Sequence, residues 1–147
     1  MKRISIFGLA ALMTLGLASC GNSQSQKAAE ASSLGAPEAS ATIAKNVSPD
    51  QFQQLIKAKS NGIILDVRTP QEVAQGAISG HIAMNFYDPN FREQLKTLDK
   101  NKPVMVYCKV GGRSGNTMQL LKGMGFKEVY NLSGGIMAWQ RQGLPIK

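Results

Sequence analysis

The fold is decided by one stretch, Val104-Met105-Val106-Tyr107-Cys108-Lys109-Val110-Gly111-Gly112-Arg113-Ser114. Its first four residues form a Val-rich apolar run, which is typical of a strand buried on both faces of a parallel sheet. The run ends at a cysteine, and the glycine pair that follows predicts a tight loop. From about Ser114 to Met124 apolar residues recur at helical spacing, so we expect a helix there. The pattern places the Cys108 thiol at the carboxyl end of a strand, in a loop that leads into a helix N-terminus.

The residues of this loop predict a reactive thiol. Gly111 and Gly112 allow backbone angles that are closed to other residues, so successive N–H groups can turn inward and form an anion-binding nest. The helix dipole and the Arg113 guanidinium add positive potential at the same point. All of these favour a thiolate over a thiol and would hold an anionic substrate against the sulfur. The alternative, an inert buried cysteine at a strand end, leaves the adjacent Gly-Gly-Arg without a role.

Three motifs resemble those of the rhodanese, or thiosulfate sulfurtransferase, superfamily. Residues 108–113 are similar to its Cys-x-x-Gly-x-Arg active loop, residues 66–72 resemble its first signature, and residues 131–139 resemble its C-terminal one. The motifs are correctly ordered and spaced, and together they span roughly residues 42–147. The resemblance implies an α/β fold with an open, parallel five-stranded sheet and helices on both faces, which strands alternating with helices also predict.

The resemblance implies sulfur transfer. The Cys108 thiolate would attack the sulfane sulfur of thiosulfate or a related anionic donor and form a covalent persulfide. Cyanide or a thiol would then accept the sulfur, in a cycle without metal or organic cofactor. A non-catalytic binding module with a vestigial thiol is the second hypothesis. A phosphatase or arsenate reductase is the third, but such phosphatases have one more residue between cysteine and arginine than the four found here.

The same resemblance assigns further site residues. The donor would be bound by the rest of the loop, namely Lys109, Val110, Gly111, Gly112, Arg113 and Ser114. Lys109 would add positive potential at the rim, although a solvated lysine is an equally ordinary interpretation. Asp66 and Arg68 would support the loop and border the pocket. A local ion pair between Arg68 and Glu72 is the alternative.

The chain departs from the family pattern at one point. Ala77 occupies the position where the family usually has a histidine. His81, the single histidine of the chain, is therefore expected to be a packing or surface residue rather than a general base. Without a base, the mechanism must depend on a preformed thiolate.

The N-terminus has the pattern of an export signal. A charged start, Met1-Lys2-Arg3, is followed by an apolar run from residue 4 to 18, as in a secretory signal peptide. Leu17-Ala18-Ser19-Cys20 resembles a bacterial lipobox, which predicts a signal peptide over residues 1–19 and lipidation of Cys20. The protein would then be lipid-anchored in the bacterial cell envelope on the non-cytoplasmic side, in the periplasm or at the outer membrane. An uncleaved anchor or a chance cysteine is the alternative.

Composition supports the same organisation. Residues 20–41 are rich in Ser, Ala, Gln, Gly and Asn, which predicts a flexible linker before a folded domain over residues 42–147. The chain has 17 lysines and arginines against 9 acidic residues, a formal charge of +8. This excess suits anionic small molecules or a membrane surface. The basic residues are scattered and aromatic residues are few, so nucleic-acid binding has little support.

The cysteine count favours a persulfide cycle. The chain has two cysteines, and acylation of Cys20 would leave Cys108 without a partner in the chain. A persulfide needs no second cysteine, whereas a dithiol oxidoreductase does.

The remaining elements are predicted from local signals. We expect further strands over residues 42–47, 63–67, 82–86 and 128–132. Ser48, Pro49 and Gln51 predict a capped helix start, and Asp88-Pro89 predicts another. A last helix carries Trp139, which we expect in the core.

Overall fold

The computed structural model describes residues 41–147, in which five strands alternate with five helices. The strands are β1 (Ile43–Val47), β2 (Ile63–Asp66), β3 (His81–Ala83), β4 (Val104–Tyr107) and β5 (Glu128–Leu132). The helices are α1 (Pro49–Ala58), α2 (Pro70–Val73), α3 (Phe91–Lys96), α4 (Gly112–Gly123) and α5 (Gly135–Arg141). The predicted signal peptide, Cys20 and all but the last residue of the predicted linker lie outside the described residues.

The predicted sheet is confirmed. Its strand order is β1-β5-β4-β2-β3, and every pair is parallel. Strand β4 lies between β5 and β2, and all four of its residues are buried, as the Val-rich run predicts. Because the strands are parallel, their carboxyl ends meet at one edge of the sheet. This edge brings together the residues that follow β2, β4 and β5.

Helices cover both faces of the sheet, and an apolar cluster lies between the sheet and the helices on each face. One cluster includes Leu65, Val104, Val106, Leu121, Phe126 and Val129. The other includes Phe52, Ile64, Met105, Tyr107, Leu132 and Trp139. Trp139 is buried, as expected, and its indole N–H donates to the Pro145 carbonyl at 3.0 Å. Within residues 41–147 no helix has the length and apolar character needed to cross a membrane.

Local signals predicted some element boundaries and missed others. The capping box of α1 is confirmed, with Ser48 as N-cap and Gln51 as its reciprocal partner. Helix α4 begins at Gly112, two residues before the predicted start. The helix predicted from Asp88-Pro89 begins only at Phe91, because the Asp88 carboxylate accepts the Asn90 N–H and forms a turn instead of a cap.

Two further differences concern the region after β2. The third strand is confined to His81–Ala83, since it lies at the sheet edge and pairs with β2 alone, which ends at Asp66. Helix α2 was not predicted. Its N-cap Thr69 and the side chain of Glu72 form a second capping box, and this spacing is a helix-start signal that the sequence contains.

Candidate active site

The Cys108 thiol lies buried where β4 ends. The Gly111 N–H donates to its Sγ at 3.1 Å, and the Ser114 hydroxyl donates to it at 3.3 Å. The loop can turn back in this way because Gly111 has a φ of 98°, which side chains rarely adopt. A Cβ at that position would also lie only 3.2 Å from the Gly134 nitrogen. The loop therefore directs hydrogen-bond donors at the sulfur.

Two opposing effects set the pKa of the Cys108 thiol. Burial raises it, but hydrogen bonds from the Ser114 hydroxyl and from the N–H groups of Ser114, Gly111 and Val110 lower it more. The net pKa lies below the ordinary value of a cysteine. Since hydrogen bonds to the charged form favour that form, the loop increases the fraction of nucleophilic thiolate near neutral pH.

The start of α5 holds the other side of the loop. The Ile136 N–H donates to the Cys108 carbonyl at 2.9 Å, and the Met137 N–H donates to the Lys109 carbonyl at 3.2 Å. Gly135 has a φ of 59°, and a Cβ there would collide with the backbone of Cys108 and Lys109. This close approach requires a glycine, which gives a physical role to the second glycine of the motif in residues 131–139. Sequence reasoning did not find that role, although a glycine pair at a helix start was its signal.

Arg113 is held by a carboxylate that sequence reasoning did not assign to it. Its Nη1 and Nη2 donate to the two carboxylate oxygens of Glu72, each at 2.7 Å. The Glu72 carboxylate also accepts the Thr69 N–H at 3.0 Å, as part of the α2 capping box. Hydrogen bonding to Arg113 is the largest cause that lowers the pKa of Glu72 to about 2. The positive charge predicted at Arg113 is therefore present but matched by an ionised carboxylate.

Arg68 does form a local ion pair, but its partner is Asp66 and not the Glu72 carboxylate that the alternative named. Arg68 Nη2 lies 2.6 Å from Asp66 Oδ2, and its Nε donates to the same carboxylate. The guanidinium also donates to the carbonyls of Glu72 at 3.0 Å and Gly76 at 2.9 Å. Both charged side chains are buried. The pair thus attaches the segment containing α2 to the end of β2.

Tyr107, the last residue of β4, completes this buried network. The Arg68 guanidinium lies over its ring, 5.5 Å from the centroid. Its hydroxyl accepts the Ile78 N–H at 3.1 Å, and burial raises its pKa above the usual value of a tyrosine. Sequence reasoning treated Tyr107 only as part of an apolar strand.

A small cavity adjoins the loop. It has a volume of about 110 Å³ and is lined by Arg68, Glu72, Gln75, Gly76, Lys109, Ile136, Met137 and Gln140. The predicted pocket residue Arg68 and the predicted rim residue Lys109 thus lie on the same cavity. A larger cavity of about 370 Å³ lies against α1 and includes no residue of the loop.

His81 lies at the start of β3, half-buried, with its Nδ1 3.0 Å from the Ile78 carbonyl oxygen, to which it donates. Ala77, at the position where the resemblance expects a histidine, is buried. Within residues 41–147 no cluster of His, Cys, Asp or Glu side chains is arranged to hold a metal ion. The chemistry that the site offers is nucleophilic attack by a thiolate surrounded by N–H and O–H donors.

Comparison with known proteins gives a consistent result. Residues 48–142 match the rhodanese-like domain family. A sulfurtransferase from Allochromatium vinosum is 32% identical over 71% of this chain and 95% of its own length. The thiosulfate sulfurtransferase GlpE of Ectopseudomonas mendocina is 36% identical over 65% of this chain and 84% of its own. The crystal structure of a rhodanese-related protein from Thermoplasma volcanium is similar with a TM-score of 0.62 and 30% identity, over 70% of this chain and 97% of that one.

Proposed function

This chain belongs to the rhodanese-like domain family, and from that premise we propose that it is a sulfurtransferase that carries a sulfane sulfur on Cys108. In the first step the thiolate attacks the outer sulfur of a donor such as thiosulfate. A new S–S bond forms, the S–S bond of the donor breaks, and sulfite leaves with the electron pair. In the second step cyanide or a thiolate attacks the outer sulfur of the persulfide, which releases the Cys108 thiolate and yields thiocyanate or a new persulfide.

One observation carries this proposal: the Cys108 sulfur accepts hydrogen bonds from the Gly111 N–H and the Ser114 hydroxyl, and its pKa is lowered. These donors stabilise negative charge on sulfur, both on the attacking thiolate and on the outer sulfur of the persulfide. The remaining N–H groups of the loop, those of Gly112 and Arg113, would bind the oxygens of the donor. Lys109 would attract the donor at the rim.

The test is intact-mass spectrometry of the purified chain, with Cys20→Ser so that Cys108 is its one thiol. After incubation with thiosulfate, we expect the intact mass to increase by one sulfur atom, bound to Cys108, and cyanide should then remove it. When Cys108→Ser is combined with Cys20→Ser, the protein should show no gain of sulfur mass and no thiocyanate production. A sulfur gain that persists in Cys108→Ser, or thiocyanate production by that variant, would contradict the proposal.

We also propose that the protein is anchored in the bacterial cell envelope by lipid on Cys20. The support comes from the sequence: a charged start, an apolar run and the lipobox-like Leu17-Ala18-Ser19-Cys20. Labelled palmitate fed to expressing cells should enter the wild-type protein and the Cys108→Ser variant, but not Cys20→Ser. Equal labelling of Cys20→Ser would show that the lipid is elsewhere or that the prediction is wrong.

A further inference from the structure

Three cationic side chains lie on the Cys108 loop and its cavity, and two of them are matched by carboxylates. Arg68 is paired with Asp66, and Arg113 is paired with Glu72 through two hydrogen bonds of 2.7 Å. Lys109 makes no ion pair with any residue in the described range, 41–147. Backbone donors and one unmatched cation are thus available to a substrate anion. Lys109 can neutralise a donor with a single negative charge. The second charge of a dianionic donor would have no unpaired cation to neutralise it.

Three large apolar side chains are exposed beside the loop, next to its charged groups. Val110, within the loop, is 62% exposed, and Met137, whose N–H donates to the Lys109 carbonyl, is 41% exposed. Tyr87, whose ring lies 5.6 Å from the Arg113 guanidinium carbon, is also exposed. Exposed apolar side chains beside a reactive group can contact a substrate that brings apolar surface of its own. An inorganic anion has none, whereas an organic sulfur donor does.

We propose that Glu72 is a positioning residue that sets donor specificity: by neutralising Arg113 it makes the site favour organic sulfur donors of single charge over the thiosulfate dianion. This inference rests on the proposed sulfur transfer to Cys108. Glu72 acts through Arg113, because its carboxylate occupies both terminal guanidinium nitrogens. Its own place is fixed by the α2 capping box, so it is held in position before any donor arrives.

An organic thiosulfonate, R–SO₂–S⁻, is a suitable probe of this class. The Cys108 thiolate attacks its outer sulfur, the new S–S bond forms, the S–S bond of the donor breaks, and a sulfinate, R–SO₂⁻, leaves with the electron pair. The reaction is the same as that with thiosulfate except that the donor carries one negative charge fewer and an organic group. Benzenethiosulfonate and thiosulfate therefore form a pair that differs in the two properties at issue.

The experiment measures kcat/KM for both donors, with cyanide as acceptor, in the wild-type chain, Glu72→Gln and Glu128→Gln. Glutamine retains an oxygen for the Thr69 N–H and for one Arg113 N–H but has no charge, so Arg113 becomes available to the second charge of thiosulfate. We expect Glu72→Gln to raise kcat/KM for thiosulfate, relative to benzenethiosulfonate, by about ten-fold through a lower KM. The ratio of the two donors does not depend on the folded fraction, because both are tested on the same preparation.

Glu128→Gln is the matched control. Glu128 forms an ion pair of the same length with Lys59, 2.7 Å, somewhat more exposed, at the amino-terminal end of β5 and so away from the carboxyl ends of the strands where the loop lies. It should leave the donor ratio unchanged. A ratio unaltered in Glu72→Gln, or altered equally in Glu128→Gln, would overturn the inference while leaving the proposed function intact. If neither donor transferred sulfur to Cys108 of the wild-type chain, the proposed function would fail and the inference with it.

Discussion

The two arginine–carboxylate pairs beside the Cys108 loop have the same chemistry but different surroundings. In the pair of Asp66 and Arg68, the side chains are 0% and 4% exposed, and the partners are two residues apart in sequence. In the pair of Glu72 and Arg113, the side chains are 21% and 17% exposed, and 41 positions separate the partners. One pair is enclosed in the protein, and the other is partly exposed beside the loop.

Because of this difference in burial, we expect the buried pair to support the fold and the partly exposed pair to affect donor specificity. A buried pair needs hydrogen-bond partners, and all three nitrogens of the Arg68 guanidinium donate, to Asp66 and to two backbone carbonyls. Removing one partner alone leaves a charge in an apolar environment. The Glu72–Arg113 pair is partly solvated, so water can replace a lost partner at small cost. Evolution or mutagenesis can therefore alter its charge without unfolding the domain.

The largest expected effect comes from breaking the buried pair. Arg68→Met leaves the Asp66 carboxylate buried without a counter-charge and should lower the free energy of unfolding by about 3–5 kcal/mol. Urea unfolding followed by the fluorescence of Trp139 would measure this loss. Adding Asp66→Asn to Arg68→Met should recover part of it, because the uncompensated charge is then removed.

Arg113→Met is the corresponding change in the partly exposed pair. It should lower the free energy of unfolding by less, about 1–2 kcal/mol, because the Glu72 carboxylate can then be hydrated. Similar losses for Arg113→Met and Arg68→Met would abolish the distinction between the two pairs.

The second prediction concerns the Cys108 thiol. Since both arginines are matched by carboxylates, hydrogen-bond donors rather than arginine charge should keep its pKa low. Ser114→Ala removes the hydroxyl that donates to the sulfur, so the pKa of Cys108 should rise. Less of the thiol is then ionised at any pH below the wild-type titration midpoint, so alkylation by iodoacetamide at such a pH should slow by about three- to ten-fold. Alkylation rates measured as a function of pH would show the titration curve moved to higher pH.

The comparison variant removes both charges of the partly exposed Glu72–Arg113 pair at once. In Glu72→Gln with Arg113→Gln the local charge is unchanged, since a positive and a negative group are lost together. The pH dependence of alkylation should then move less than in Ser114→Ala. A larger movement in this double variant would mean that the ion pair, and not the hydroxyl, sets the pKa of the thiol.

Features that depend on neighbouring residues in sequence could be predicted. The run from Val104 to Ser114 contains its own strand pattern, glycine turn and helix start, and the strand, loop and helix form as predicted. The capping box at Ser48 was likewise confirmed. The parallel sheet followed from the alternation of apolar strands with helices, because parallel strands need such crossovers. Helix α2 lacked an apolar period of its own and was missed, although Thr69 and Glu72 carried a capping signal.

Features that depend on packing could not be predicted. Asp66 and Glu72 are both close enough in sequence to pair with Arg68. In the folded protein the partner is Asp66. Glu72 meets Arg113 only because the sheet places α2 beside the start of α4. Similarly, the contact of Gly135 with the Cys108 loop joins distant segments. The resemblance identified the motifs, whereas the structure shows which atoms hold them together.

The last prediction is the pH dependence of the partly exposed pair. The pKa of Glu72 is lowered to about 2 in the folded state, below the value of about 4.3 for an unfolded chain. The ionised carboxylate therefore stabilises the fold above pH 4.3, and this stabilisation is lost as the pH falls toward 2. Wild type should exceed Glu72→Gln by about 1–2 kcal/mol in unfolding free energy at pH 7, because lowering a pKa by about two corresponds to roughly 3 kcal/mol and partial hydration of the pair reduces this figure. Urea unfolding at pH 7, 4 and 2.5 should show the difference shrinking at each step. If the difference in unfolding free energy between wild type and Glu72→Gln stayed constant to pH 2.5, the glutamine would be disturbing packing. The Glu72–Arg113 pair would then be as sensitive to substitution as the buried pair.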